Sequence, residues 1–205
     1  MSQNYRAMAE ITSLAQLDMN GKYSYADYLT WKFDQAVELI RGHITPMAAP
    51  SRKHQGISWQ LTLTVGNTFK HQTCKAYAAP FDVRLLDKNK SKKANASVYS
   101  VVQPDICIIC DENKLDDQGC IGAPDLVIEI LSLGNSKKEM RTKKSLYEEN
   151  GIREYWIIDP ERETVHQFVL DDNGLYSRTM IYVSEEIVYC AIFEELQVPL
   201  DTLFV

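Results

Sequence analysis

The fold can be inferred outward from the segment Pro124-Asp125-Leu126-Val127-Ile128-Glu129-Ile130-Leu131. Residues 125–131 form a near-continuous apolar run, which is typical of a strand buried on both faces of a sheet. Residues 101–110 form a similar run, and residues 76–86 alternate in polarity as a strand does. The three segments together predict the central sheet of the protein.

Helices and further strands are predicted around this sheet. Four apolar residues recur at four-residue spacing and predict a helix over residues 51–69, with one apolar stripe made of Ile57, Leu61, Val65 and Phe69. The same reading predicts a short helix over 23–32, a strand hairpin over 36–47, a helix over 136–150, a strand over 154–158 and antiparallel strands from 164 onward. We therefore expect an α/β fold, a mixed β-sheet flanked by helices, with extra antiparallel strands at its N- and C-terminal edges.

Composition and charge suit one globular domain. The chain has 205 residues, of which 45% are hydrophobic and 24% charged, enough for one sizeable core. We expect residues 1–20 to form an N-terminal extension and residues 21–205 a single domain. The formal net charge of −6 argues against a protein that coats nucleic acid through a general basic excess. The N-terminus lacks the apolar region of a signal peptide and no run reaches membrane-spanning length, so a cytoplasmic location is the default expectation.

The cysteines are odd in number and scattered, at Cys74, Cys107, Cys110, Cys120 and Cys190. This distribution predicts free thiols in a reducing compartment and not a disulfide framework. Cys107 and Cys110 have the spacing of a metal-ligand pair, but residues three apart in a strand point to opposite faces. We expect neither zinc nor redox chemistry there.

Asp105 and Glu129 are carboxylates on otherwise apolar strands. Burying a carboxylate is costly unless it is paired or bound to a metal. A divalent metal that activates water for phosphodiester hydrolysis needs two or more carboxylates on rigid, adjacent elements. Each acid alone has an equally good structural interpretation, with Glu129 in an ion pair and Asp105 capping a turn. The two together favour a metal site.

Lys143 falls near the middle of the apolar stripe that Met140, Leu146 and Tyr147 define on the predicted helix 136–150. A lysine on the core side of a helix requires an anion, and the two acids lie on the preceding strands. Lys144 lies at the edge of the stripe and can extend to solvent, and such snorkelling is the alternative for both lysines.

Pro104-Asp105 followed by Glu129-Ile130-Leu131 resembles the signature of the PD-(D/E)XK, restriction-endonuclease-like superfamily. The chain further resembles the Uma-two family within that superfamily, from about residue 23 to about residue 169. The strings that carry this likeness are Val37-Glu38-Leu39-Ile40-Arg41-Gly42, His54, Gln103-Pro104-Asp105, Pro124 to Ser132, Lys143 with Tyr147, and Gly151-Ile152-Arg153-Glu154-Tyr155-Trp156-Ile157-Ile158-Asp159-Pro160.

The resemblance implies a DNA endonuclease that depends on Mg²⁺ or Mn²⁺, and it implies a homodimer. Asp105, Glu129 and the backbone carbonyl of Ile130 would hold the metal, with Glu38 as a third acid. An exposed charge on the hairpin is the equally simple interpretation of Glu38.

The lysine of the signature belongs two residues after the glutamate, where this chain has Leu131. The resemblance implies that Lys143 on the following helix replaces it, at the position that the helical periodicity also selects. Leu131 at the signature position is also the feature that favours a different class of function, a catalytically silent nuclease-fold module that binds DNA or protein. A hydrolase of some other phosphodiester is a third possibility, because no residue here reads a base edge.

Other polar residues are secondary candidates for the site. Asp82 and Asp125 lie at strand positions, although Asp125 follows Pro124 and is more simply a turn cap. His54 near the start of its helix contacts phosphate or packs, and we favour packing. Two basic clusters are candidate contacts for a nucleic-acid backbone: Lys88, Lys90, Lys92 and Lys93 on a loop, and Lys137, Lys138, Arg141 and Lys144 on a helix.

Overall fold

The computed structural model describes residues 10–86, 94–132 and 137–204. In these ranges the helices are α1 Tyr25–Tyr28, α2 Arg52–Phe69, α3 Lys137–Asn150 and α4 Leu200–Leu203. The strands are β1 Val37–Ile40, β2 His43–Pro46, β3 Lys75–Ala78, β4 Val83–Leu85, β5 Ser100–Val102, β6 Ile106–Ile109, β7 Leu115–Asp116, β8 Gly119–Ile121, β9 Leu126–Ile130, β10 Glu154–Asp159, β11 Thr164–Val169, β12 Arg178–Val183, β13 Ile187–Tyr189 and β14 Gln197–Pro199. No helix within the described ranges is both long and apolar enough to cross a membrane.

The strands form two six-stranded sheets and a separate hairpin of β13 and β14. The first, sheet I, has the order β2-β1-β5-β4-β8-β7, and the second, sheet II, has the order β12-β11-β10-β9-β6-β3. In sheet II, β9 is parallel to β10 and antiparallel to β6, so the sheet is mixed. This architecture confirms the expected α/β fold with a mixed sheet and flanking helices.

The strand β9 lies at the centre of sheet II and is buried on both faces, as its apolar sequence predicts. Ile128 and Ile130 face the apolar stripe of α2 and the C-terminal hairpin. Val127 faces the opposite way, toward α3 and sheet I. Because successive side chains of a strand point to opposite faces, Glu129 lies on the same face as Val127, toward α3.

Sheet I carries a second apolar layer on its far side. Val37, Leu39 and Val101 pack there with Tyr25 of α1 and with Trp31. The residues before position 20 that the structure describes contribute Ile11, Leu14 and Leu17 to the same layer.

Two predicted strands are wrong in their extent, because each is divided between the two sheets. The predicted strand 76–86 is β3 in sheet II and β4 in sheet I, interrupted at Pro80. The predicted strand 101–110 is β5 in sheet I and β6 in sheet II, interrupted at Pro104. Proline has no backbone N–H to donate to a ladder, which explains why pairing stops at these points.

The helices and the hairpin follow the sequence pattern more closely. The hairpin of β1 and β2 turns at Arg41 and Gly42, both with positive φ, as predicted. Helix α2 buries its predicted stripe, whereas the predicted helix 23–32 is confirmed only over the four residues of α1.

Cys74 and Cys110 form a disulfide, so the expectation of free thiols is wrong for these two residues. They lie at the ends of neighbouring antiparallel strands, where Lys75 of β3 pairs with Ile109 of β6. The strand register therefore places the two cysteines opposite each other, and this could not be read from their spacing. The other three cysteines are free and buried.

Candidate active site

Asp105 and Glu129 are brought together by the register of sheet II. Strands β6 and β9 are antiparallel, and Ile106 pairs with Ile128. Asp105 precedes Ile106 and Glu129 follows Ile128, so the two acids occupy the next opposed positions. The backbone N–H of Ile130 donates to Oδ2 of Asp105 at 2.7 Å and fixes the aspartate against the end of β9.

Lys143 bridges two buried glutamates. Its Nζ donates to Oε1 of Glu129 and to Oε1 of Glu38, both at 2.9 Å. Tyr147 lies one turn further along α3, on the same face of the helix, and its hydroxyl donates to Oε1 of Glu129 at 2.5 Å. The core side of α3 therefore presents two donors to one carboxylate of sheet II.

Glu38 is not an exposed hairpin charge, because only 1% of its surface is accessible. It lies on β1 of sheet I, and its Oε1 also accepts a hydrogen bond from the backbone N–H of Gln103 at 2.9 Å. Lys143 thus joins an acid of sheet I to an acid of sheet II. The snorkelling alternative is wrong for Lys143, whose ammonium is turned inward.

The charged groups of this cluster shift one another's pKa values. Burial raises the pKa of Glu129 to about 7, with Lys143 opposing the rise and the charges of Glu38 and Asp105 adding to it. Burial lowers the pKa of Lys143, but Glu129 and Glu38 outweigh this and raise its pKa overall. Glu129 and Glu38 therefore share the ammonium of Lys143, and the imidazole of His54 lies beside Asp105.

His54 of α2 contacts the same cluster, with its Nε2 3.3 Å from Oδ1 of Asp105. Burial lowers the pKa of His54, but the hydrogen bond and charge of Asp105 and the backbone of Ile130 outweigh burial and raise it. Its Nδ1 is buried and finds no hydrogen-bond partner among the described residues. Packing, the interpretation favoured from the sequence, explains its burial and misses this contact.

These residues line one cleft of about 670 Å³. The predicted residues that line it are Glu38, His54, Asp105, Glu129, Ile130 and Lys143. Gln55, Gln103, Ser132 and Glu139 also line the cleft. Of these additional residues, Gln103 and Ser132 lie in strings that carry the family resemblance, whereas Gln55 and Glu139 had no sequence signal.

The secondary candidates lie elsewhere. Asp82 accepts hydrogen bonds from the hydroxyl of Tyr25 and from the side chain of Gln103, and it is not among the residues of the cleft. Asp125 accepts from the backbone N–H of Cys110, 15 residues away just after β6, and pairs with Arg153. It therefore connects separate elements, and these contacts are not those of a cap on its own turn.

The basic cluster of α3 is divided. Lys137, Lys138 and Arg141 are exposed, whereas the ammonium of Lys144 lies 4.8 Å from the ring centre of Phe168. The loop lysines at positions 88, 90, 92 and 93 fall outside the described residues.

The cleft contains the kinds of oxygen donor that a hard divalent cation prefers. Carboxylates and a backbone carbonyl are the ligands that Mg²⁺ and Mn²⁺ prefer, and Asp105, Glu129 and Ile130 supply them. Among the described residues, no three or more His, Cys, Asp or Glu side chains are arranged so that they could hold a metal ion together. Lys143 bridges the two glutamates, and His54 contacts the aspartate.

Comparison with known proteins relates the chain to nucleases. A family model described as "Uma2: Putative restriction endonuclease" matches residues 25–201. A solved structure described as a "putative nuclease belonging to DUF820", from Anabaena variabilis ATCC 29413, superposes with a TM-score of 0.70 at 21% identity, covering 88% of this chain and 97% of that chain. This similarity shows a shared fold. No curated protein sequence matches the chain.

Proposed function

Because the chain belongs to the Uma2 family, as the match over residues 25–201 shows, we propose that it is a metal-dependent DNA endonuclease of the PD-(D/E)XK type. The family resemblance inferred from the sequence is thereby confirmed, while the activity is our proposal. The observation that supports this proposal is the hydrogen bond from Lys143 to Glu129 of β9. The backbone N–H of Ile130, at the end of the same strand, donates to Asp105. An ammonium and two carboxylates in one cleft are the groups that phosphodiester hydrolysis requires.

In this proposal Asp105, Glu129 and the backbone carbonyl of Ile130 hold Mg²⁺ or Mn²⁺. When bound, such a metal neutralises charge on the scissile phosphate and lowers the pKa of a water ligand. Lys143 remains protonated because two carboxylates hold its pKa high, so it acts as a hydrogen-bond donor to phosphate or to the attacking water. Glu38 positions that ammonium by accepting one of its hydrogen bonds.

Lys143 takes the role of the signature lysine from a different backbone position. Leu131, where the signature has lysine, is partly buried and packs against the core between sheet II and α3. A lysine at that position would have to displace this contact, whereas Lys143 reaches Glu129 from the facing helix. The substitution of lysine by leucine is therefore compatible with a complete set of catalytic groups.

The experiment that tests the function is plasmid cleavage in Mg²⁺ or Mn²⁺. We expect the wild-type chain to nick or linearise DNA and Asp105→Asn to lose this activity by about a hundredfold or more, because a metal ligand is removed. Asp201→Asn changes an exposed aspartate of α4 and serves as the matched control, which should cleave like the wild type. Equal cleavage by all three proteins, or cleavage by none, would overturn the proposal.

A silent nuclease-fold module is the second candidate, and one observation favours it. Lys143 is engaged by Glu38 and Glu129, so its ammonium already has two anionic partners. A silent module binds DNA in a gel-shift experiment with equal affinity as wild type and as Asp105→Asn, and cleaves it in neither form. Cleavage and gel-shift measurements on the wild type and on Asp105→Asn therefore distinguish an endonuclease from a silent module.

A further inference from the structure

Helix α2 lies in the middle of a long stretch without carboxylates. The chain carries a net charge of −6, yet no Asp or Glu occurs from Leu39 to Phe81. Its basic residues are Arg41, Arg52, Lys53, Lys70 and Lys75. Two of these residues are paired with acids from elsewhere in the chain, Arg41 with Glu149 and Lys53 with Glu163. Arg52, Lys70 and Lys75 remain as the positive charges that suit a polyanion such as a nucleic-acid backbone.

The solvent face of α2 is apolar at its centre. Trp59 is 63% exposed and Leu63, one turn further on, is 43% exposed, opposite the buried stripe of the helix. Gly56 and Gly66 flank them, and a Cβ added at either would meet nothing within 4 Å. A glycine inside a helix costs about 1 kcal/mol relative to alanine. The helix surface at both glycines is open, so it does not obstruct a ligand that approaches the indole.

This face continues from the candidate active site. Gln55 and His54 of the first turn of α2 line the cleft. Trp59 follows Gln55 by four residues, which places it on the same side of the helix and about 6 Å further along its axis. A strand that enters the cleft therefore passes the indole at a distance of about one nucleotide.

We propose that Trp59 is a stacking platform for an unpaired base of the nucleic acid whose backbone enters the cleft. This inference rests on the proposed function and names its substrate class: single strands, or duplexes with unpaired bases next to the scissile phosphate. In an intact duplex both faces of each base are covered by neighbouring base pairs. An exposed indole offers its π-face to a base that has lost such a neighbour.

The charges around Trp59 argue against a second copy of the chain as the occupant. Arg52 lies at the start of α2 and Lys70 lies just after its end, with no acid between them in the sequence, while Lys53 pairs with Glu163 of the same chain. Pairing two copies of α2, in either direction, would set the basic ends of one against the basic ends of the other. The phosphates of a nucleic acid, in contrast, neutralise these positive charges.

Tryptophan fluorescence tests the proposal directly. The chain has three tryptophans, and Trp31 and Trp156 are buried, so quenching by a ligand reports on Trp59. We expect an unlabelled oligo-dT strand to quench the tryptophan emission when it is added in a buffer that contains Ca²⁺ and no Mg²⁺. Trp59→Ala should abolish the quenching and weaken single-strand affinity about tenfold, measured by competition, whereas Trp59→Phe should retain most of the affinity. Tyr189→Ala, an exposed aromatic of β13, is the matched control and should bind like the wild type.

The outcomes separate this inference from the proposed function. Loss of single-strand affinity with unchanged affinity for a fully paired duplex supports the stacking platform, even if no variant cleaves DNA. Equal affinities of Trp59→Ala and wild type for single strands overturn it, even if cleavage depends on Asp105. A dimer that dissociates on Trp59→Ala, detected by light scattering, also overturns it and makes a second copy the occupant of the face.

Discussion

The folded protein favours the protonated form of Glu129 over the ionised form. Its pKa of about 7 lies above its ordinary value because burial disfavours the charge. The folded state thus binds more protons than the unfolded state between about pH 4.5 and 7, so stability falls as the pH rises through this window. Glutamine mimics the protonated form and removes this dependence.

We expect Glu129→Gln to flatten the fall of melting temperature between pH 5 and 8 and to be more stable than wild type at pH 8 without metal. Thermal unfolding at a series of pH values measures both effects. Glu195→Gln, at an exposed glutamate, should keep the wild-type profile. Parallel profiles for Glu129→Gln and wild type would show that Glu129 has an ordinary pKa.

Lys143 compensates this buried acid and one other. Lys143→Met leaves Glu38 and Glu129 buried without their cation, and breaking a buried pair in this way costs about 3 kcal/mol. We expect that loss in the free energy of unfolding by urea at pH 8, and a smaller loss at pH 5, where protonation of Glu129 removes the uncompensated charge. Lys144→Met, which affects the neighbouring lysine over Phe168, should cost less than about 1 kcal/mol at both pH values. A loss that does not change with pH would assign the effect to packing alone.

Sequence patterns identified the acids and the lysine of the site, but not every contact. Glu129 and Lys143 each break an apolar pattern, so their burial and pairing could be predicted. His54 breaks no pattern, because a histidine in the first turn of a helix is ordinary. Its contact with Asp105 depends on how α2 docks on sheet II, which is a tertiary property.

At the scale of elements, α2 separates a structural face from an exposed one. Leu61 is fully buried in the core over sheet II, whereas Leu63 lies on the solvent face. We expect Leu61→Ala to lower the free energy of unfolding by about 3 kcal/mol through lost burial and a cavity. Leu63→Ala removes the same atoms and should cost less than about 1 kcal/mol. Urea unfolding of the two variants measures the difference, and equal losses would mean that the faces of α2 are assigned wrongly.

Helices and hairpin turns could be predicted from this sequence, while the division of the sheets could not. The period of the stripe in α2 is visible in any window of the chain. The run 101–110 is apolar on both sides of its break, because β5 and β6 are both buried. The run 76–86 joins the partly exposed β3 to the buried β4. Only Pro80 and Pro104 mark where the chain leaves one sheet for the other. The pairing of Cys74 with Cys110 depends on the same sheet register.

For the molecule as a whole, the proposed metal site predicts stabilisation by divalent cations. A ligand that binds only the folded state stabilises it in proportion to the logarithm of its concentration over its Kd. We expect millimolar Mn²⁺ to raise the melting temperature of the wild type at pH 7.5. The double variant of Asp105→Asn and Glu129→Gln lacks the proposed ligands and should show no rise. An equal rise in both proteins would locate the cation elsewhere.

Because Lys143 bridges Glu38 and Glu129, the geometry of the cleft depends on how the two sheets dock. Neither acid can be correctly placed relative to the other unless β1 and β9 are in register across the interior. Under the proposed function, a substitution deep in the shared core, far from any carboxylate, is therefore expected to lower activity by a small displacement of one sheet. A complete set of acids in the sequence is then not sufficient for activity, because the apolar core sets the distance between them.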